Sequence, residues 1–204
     1  MVRADVLVAT CLFVVGCGSS GVRELNRTAL RQAGARSIAA TMGKTPRFQV
    51  WTPTAGALFG FVGAAIESAY DERSLRAVGL HDPAETIAET LVDAMGKRFS
   101  LRVIDAADLD EGRAPNLMMR VRTLKWGVFN AVNGGATVMY DGTLQLIDTR
   151  TNEVLAQASC VSHPVEGQPV SALAANGSAL LRDELREVTE YCMEDYRHRV
   201  LGLY

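Results

Sequence analysis

The stretch Gly142-Thr143-Leu144-Gln145-Leu146-Ile147-Asp148-Thr149-Arg150-Thr151-Asn152-Glu153-Val154-Leu155-Ala156-Gln157-Ala158-Ser159-Cys160 decides the fold. Apolar residues alternate with polar ones on both sides of a polar turn, the period of half-buried strands. Asn152 tolerates the left-handed conformation, so the turn after Thr149 reads as three residues ending at Asn152. Leu146 then opposes Ala156, Leu144 opposes Ala158, and Gly142 opposes Cys160, which places the apolar side chains on one face. A loop one residue longer sets Leu144 against Gln157 and splits the core, because a one-residue slip exchanges the two faces.

Working outward, Val138 and Tyr140 extend the same apolar face upstream, behind a turn at Asn130-Ala131-Val132-Asn133-Gly134-Gly135. Leu117, Met119 and Val121 alternate with Met118, Arg120 and Arg122 and predict another strand. Phe99, Leu101 and Val103 predict a third, and Phe48-Gln49-Val50-Trp51-Thr52 predicts a first one closed by Pro53. Two helices complete the set. Asp82 is an N-cap, Pro83 suits the first helical position and Glu85 takes the capping-box place. Ile87, Leu91, Ala94 and Met95 form its apolar stripe, with Gly96 as the stop. The last helix carries Leu181, Leu185, Val188, Cys192 and Tyr196 at helical spacing. The expected fold is α+β: a two-layer sandwich with a mainly antiparallel sheet of about five strands and two amphipathic helices on one face.

The chain has 204 residues, 48% hydrophobic and 22% charged, which is room for one globular domain. A net charge of −2 argues against a nucleic-acid partner, and 6% aromatic residues leave little for a stacking surface. No apolar run reaches the ~18–20 residues of a membrane-spanning helix.

At the N-terminus, Arg3 precedes an apolar stretch from Val6 to Gly16, and Cys17 is followed by Gly18-Ser19-Ser20-Gly21. Val14-Val15-Gly16-Cys17 resembles the lipobox of bacterial lipoproteins, with Val14 where Leu is usual. Cys11 is the rival, but Thr10 fits poorly before it and no Gly/Ser segment follows it. The resemblance implies a signal peptide over 1–16 and diacylation and N-acylation at Cys17. It also implies the outer membrane, periplasmic face, since Gly18 is not the Asp that retains enteric lipoproteins in the inner membrane. Residues 17–45 are expected to be a lipid-anchored flexible tether. Arg23, Arg27 and Arg31 recur within it, either as a basic stripe on anionic headgroups or as a solvated linker. Residues 46–204 form the domain, with a Gly-rich insert at 54–70.

Cysteine usage follows from this reading. Cys11 leaves with the signal and Cys17 takes the lipid, so Cys160 and Cys192 remain in an oxidising compartment with one possible pairing. Both lie on inward faces, Cys160 beside the small Ala156 and Ala158, which predicts a disulfide that clamps the last helix to the sheet. In the insert, Gly56, Gly60 and Gly63 share one face of a helix. That face allows close backbone approach, for self-association or, as the preferred reading, for packing on the protein's own sheet.

With these elements in order, the chain is similar to a broad group of periplasmic lipoproteins. The group includes the lipopolysaccharide-assembly lipoprotein, auxiliary lipoproteins of envelope ABC transporters, and the N-terminal domain of the Tol propeller protein. Tyr140-Asp141-Gly142-Thr143-Leu144 through Asp148 to Asn152-Glu153-Val154-Leu155 carries the likeness, and the Gly-rich insert is similar to uncharacterised bacterial outer-membrane lipoproteins. It implies an anchored, non-catalytic partner of an envelope protein machine.

Residues with catalytic potential do not assemble into a motif. Met42-Gly43-Lys44-Thr45 ends like a phosphate loop, but Ile38 stands where its first Gly belongs. His81, His163 and His198 have no second ligand at metal spacing. Glu184, Glu187, Glu190, Glu194 and Asp195 read as a solvated helix face. Arg120, Arg122 and Lys125 make one strand's outer face basic, the ordinary place for polar residues on a one-sided sheet and also a surface for an acidic partner or lipid headgroup. No catalytic, cofactor or metal residues are therefore assigned, and no enzyme activity is expected. The expected function is a structural or interaction component of an envelope assembly. The alternative is a lipid- or glycan-handling auxiliary lipoprotein of a transport system, which requires a cavity between sheet and helices.

Overall fold

The computed structural model describes residues 21–51, 79–105, 114–130, 135–162 and 179–203, with short pieces at 75, 77, 108–109, 168–169 and 173. Three long strands dominate: β4 (Leu117–Asn130), β5 (Gly135–Asp148) and β6 (Glu153–Ser162). They form two antiparallel ladders. The hairpin register is the one read from the sequence, with Leu146 opposite Ala156, Leu144 opposite Ala158 and Gly142 opposite Cys160. The turn itself differs from the expected one: Asp148 pairs with Glu153, so the loop is four residues, Thr149 to Asn152, with Asn152 left-handed at φ 59°, and a bulge at Leu155 takes up the extra residue and restores the expected register from Leu146 onward.

The other edge of β4 carries two strands end to end. β1 (Ser37–Met42) pairs parallel with its first half and β2 (Gln49–Trp51) parallel with its last residues. β3 (Arg102–Val103) lies outside β1, also parallel, giving the order β3-β1-β4-β5-β6. β7 (Gln168–Pro169) adds a short antiparallel piece to β5. The sheet is thus mixed: its long ladders are antiparallel, and the N-terminal side is parallel.

α2 (Pro83–Phe99) packs on β1 and β4, and α3 (Ala179–Asp195) packs on β5 and β6. Between these helices and the sheet, Ile87, Leu91, Met95, Met119, Leu144 and Leu146 have no solvent exposure. A short α1 (Arg27–Gln32) adds Leu30 to the same core. After α3 comes a π-helical turn, Tyr196–Val200, whose Tyr196 and Val200 are buried together with the tail residues Leu201 and Leu203. Among the described residues no helix is long and apolar enough to cross a membrane.

Three expectations are corrected. From Gly21 onward the segment expected as tether belongs to the domain: Arg23 pairs with Gln157, Leu25 donates to the Val200 carbonyl at 2.7 Å, and α1 and β1 follow. Arg23 also lies outside α1, so no helical stripe joins it to Arg27 and Arg31. Gly96 does not stop α2. Ser100 does, with φ 53°, while Gly96 lies in the last turn because a Cβ there would come within 2.8 Å of Val103. The strand expected over Phe99 to Val103 shrinks to β3, since Phe99 is still helical.

Candidate functional site

On the inward face, the hairpin register sets Cys160 across from Gly142 in the middle of the sheet, beneath α3. Cys192 is fully buried on the apolar stripe of α3 and is bonded to Cys160, with Cα atoms 5.7 Å apart. One turn later the Tyr196 hydroxyl donates to the Gly142 carbonyl at 2.9 Å. Tyr140 fills the adjoining space, and a Cβ on Gly142 would collide with its ring and hydroxyl. The Tyr140 hydroxyl makes no hydrogen bond of good geometry among the described residues, although Thr123 and Asp82 lie beside it. Burial raises both phenols well above their ordinary range; the neighbouring Tyr140 adds to the effect on Tyr196, and Asp82 and Asp141 to that on Tyr140. These two hydroxyls are core groups with a structural task.

Asp82 caps α2 by accepting from the Ala84 amide at 3.0 Å and also accepts from the Thr123 hydroxyl, tying the helix start to β4. At the other end of the sheet, Asp148 is buried behind the hairpin turn. Burial pushes its carboxyl up, but the Arg150 and Thr151 hydrogen bonds and the Arg150 charge outweigh this and hold it below the usual range.

The opposite face of β4–β5–β6 is the open one. On β4, Arg120 and Arg122 are exposed, and a bulge between Thr123 and Lys125 turns Leu124 and Lys125 outward together between buried Thr123 and Trp126. Phe129 follows, 42% exposed, and Leu124 is 46% exposed. Facing them on β5 and β6 are half-buried Asp141, Thr143, Gln145, Gln157 and Ser159, and Val161, 54% exposed. Arg120 and Arg122 form no ion pair with another described residue. Gly21 and Arg23, the start of the described residues, lie against β6 on this side. Gln157 Nε2 donates to the Gly21 carbonyl at 3.4 Å, and Arg23 and Gln157 exchange backbone hydrogen bonds of 2.8 and 2.9 Å. Arg23 also reaches Glu153 at 2.9 Å. Gly21, Arg122, Thr143, Gln145, Gln157 and Ser159 line a shallow depression of about 200 Å³. A second open groove, of about 450 Å³, lies on the helix side among Leu91, Lys97, Arg98, Met193, Arg197 and Leu203.

Cys17 and the glycines Gly56, Gly60 and Gly63 lie outside the described residues, as do the expected signal peptide, the insert helix and His163. His198 has a closer neighbour than its spacing suggested: its Nε2 lies 2.7 Å from Glu194 one helical turn away. Among the described residues no three His, Cys, Asp or Glu side chains gather in a way that could hold a metal ion. β1 precedes Gly43-Lys44, but no helix follows, and the Arg122 side chain lies across Gly43. The acidic residues of α3 form surface ion pairs, including Arg186 with Glu190 at 3.2 Å and Arg199 with Asp195 at 2.6 Å.

Neither the protein-family models nor the curated proteins contain a match to this chain. Among solved structures it is similar to protein XCC0632 from Xanthomonas campestris, of family model DUF330, with a TM-score of 0.46 and 13% identity over 78% of this chain and 82% of that one. Lipoprotein GNA1162 from Neisseria meningitidis gives a TM-score of 0.28 and 16% identity over 74% and 99% of the two chains. A minor lipoprotein from Acinetobacter baumannii gives 0.34 and 10% over 81% and 95%. At these scores the likenesses assign neither a family nor a function to the chain.

Proposed function

We propose that this chain is a non-catalytic lipoprotein of a bacterial envelope. It is acylated at Cys17, held at the periplasmic face of the outer membrane, and acts as a structural or interaction component of an envelope assembly. One observation carries the reading. Val14-Val15-Gly16-Cys17 ends an apolar stretch, and only Gly18, Ser19 and Ser20 separate Cys17 from Gly21, which is bonded to the domain through Gln157. A lipidated Cys17 followed directly by a domain fastened at Gly21 is the arrangement of an anchored protein. The Cys160–Cys192 bond fits an oxidising compartment.

Between the two functional classes, the packed layer favours the interaction component. Among the described residues, Leu91, Met95, Met119, Leu144 and Leu181 are buried between sheet and helices, where a lipid-handling protein would line a cavity.

Cell fractionation of Cys17→Ser against the natural chain tests the proposal. The natural chain should float with membranes and resist high salt, and the variant should be released. Equal release of both would overturn it.

A further inference from the structure

We propose that the open face of β4–β5–β6 lies against the membrane, with Arg120, Arg122 and Lys125 on anionic lipid headgroups. The inference rests on the acylated Cys17 proposed above, and adds an orientation that the anchor alone does not set.

Three observations carry it. The first is reach. Cys17 stands four positions before Gly21, so even a fully extended chain between them spans about 14 Å. Gly21 is fixed on the open face, where it accepts from Gln157 and borders the depression beside Arg122. A longer tether would let the domain tumble, whereas one this short holds the face from which it emerges close to the acyl chains.

Charge is the second. The open face presents Arg120, Arg122 and Lys125, with Asp141 as its facing carboxylate and Glu153 engaged by Arg23 at the rim. The helix layer has the opposite balance. α3 and the π-helical turn that continues it carry Asp183, Glu184, Glu187, Glu190, Glu194 and Asp195 against Arg182, Arg186, Arg197 and Arg199. On α2, Glu85, Glu89 and Asp93 outnumber Lys97 and Arg98. An anionic surface attracts the first layer and repels the second. Each basic side chain near such a surface favours apposition roughly fivefold.

The third is the company these charges keep. Leu124 and Phe129 stand exposed along β4 among the basic residues, and Val161 stands opposite Asp141 on β6. Basic groups interleaved with solvent-facing apolar side chains suit the headgroup boundary, where each type finds its own environment.

Lysine acetylation read by peptide mass spectrometry tests this, because Lys125 is on the open face and Lys97 is on α2. The full lipidated chain is reconstituted in phosphatidylglycerol-containing vesicles, in neutral phosphatidylcholine vesicles and in detergent, and its acyl adduct is confirmed by intact mass. In anionic vesicles Lys125 should lose labelling relative to Lys97, and detergent should restore it. Arg120→Glu with Arg122→Glu should restore Lys125 labelling in anionic vesicles while the variant still floats and melts as the natural chain does. Equal labelling of Lys125 and Lys97 in anionic vesicles, on a chain that carries the adduct, would overturn the orientation and leave the anchor standing. Protection of Lys125 in detergent would assign the face to a second copy of the chain instead. A chain without the adduct would remove the anchor, and the orientation with it.

Discussion

The Tyr196 hydroxyl donates to the Gly142 carbonyl across 2.9 Å, joining the π-helical turn behind α3 to the middle of β5. That bond lies directly beside the Cys160–Cys192 link, so a covalent bond and a buried hydrogen bond fix the same helix end to the same part of the sheet. Tyr196→Phe should cost about 1–2 kcal/mol by leaving a buried carbonyl with one partner fewer. Tyr140→Phe should cost less, because its hydroxyl makes no good hydrogen bond among the described residues. Denaturant midpoints of the two variants check this. Equal losses would show that the Tyr196–Gly142 hydrogen bond adds no stability of its own.

The disulfide closes a loop with a sequence separation of 32 residues. On the chain-entropy account its loss should destabilise by about 3–4 kcal/mol. Urea melts of the protein with and without reductant measure this, with Cys160→Ala plus Cys192→Ala as the variant that cannot reoxidise. An unchanged midpoint would mean that the packing of Val188, Cys192 and Tyr196 holds α3 in place without the bond.

Asp148 supplies a pH dependence with a definite sign. Its carboxyl is held below the ordinary range in the folded protein, so the folded state binds its proton less readily than the unfolded chain does. Its contribution is present above the unfolded value of about 3.9 and is lost as pH falls through the folded value. Asp148→Asn should therefore be less stable than the natural chain near neutrality, and the two should converge on acidification. Thermal melts from neutral pH downward would show a constant gap if Asp148 acts only through its shape.

Tyr140 and Tyr196 predict the alkaline limb. Both phenols are raised by burial, whereas the unfolded chain ionises its tyrosines near pH 10. Their contribution is complete below that pH and is lost above it, as the unfolded chain gives up protons that the folded one keeps. The two buried rings should ionise only together with the loss of near-ultraviolet circular dichroism. Ionisation of all tyrosines ahead of unfolding would contradict the burial.

The pairing of the hairpin strands was legible from alternation and from small residues opposite large ones, and Asn152 was placed correctly in the left-handed region, but the loop is one residue longer than read and the bulge at Leu155 that restores the register was not legible. Asp82-Pro83 was equally legible, since a cap and a pre-set φ need no tertiary context. The parallel side of the sheet was not. Ser37-Ile38-Ala39-Ala40-Thr41-Met42 holds one large residue on its buried half, and β1 becomes a strand only because β3 and β4 flank it and α2 covers it. Arg120 and Arg122 could be placed on the basic face from alternation, but Lys125, out of phase with them, could not, nor could the relation of that face to Gly21. That relation depends on Arg23 and Gln157, far apart in the chain, meeting at the outer edge of β6. The bulge that turns Leu124 and Lys125 outward is likewise a product of pairing with β5.

The anchor at Cys17 underlies both the proposed function and the orientation, and intact mass spectrometry of the protein extracted from the membrane fraction tests it most directly. The account predicts a chain that begins at Cys17 and carries a triacyl adduct. A chain of unmodified mass, still bearing the residues before Cys17 or cleaved at another position, would contradict it.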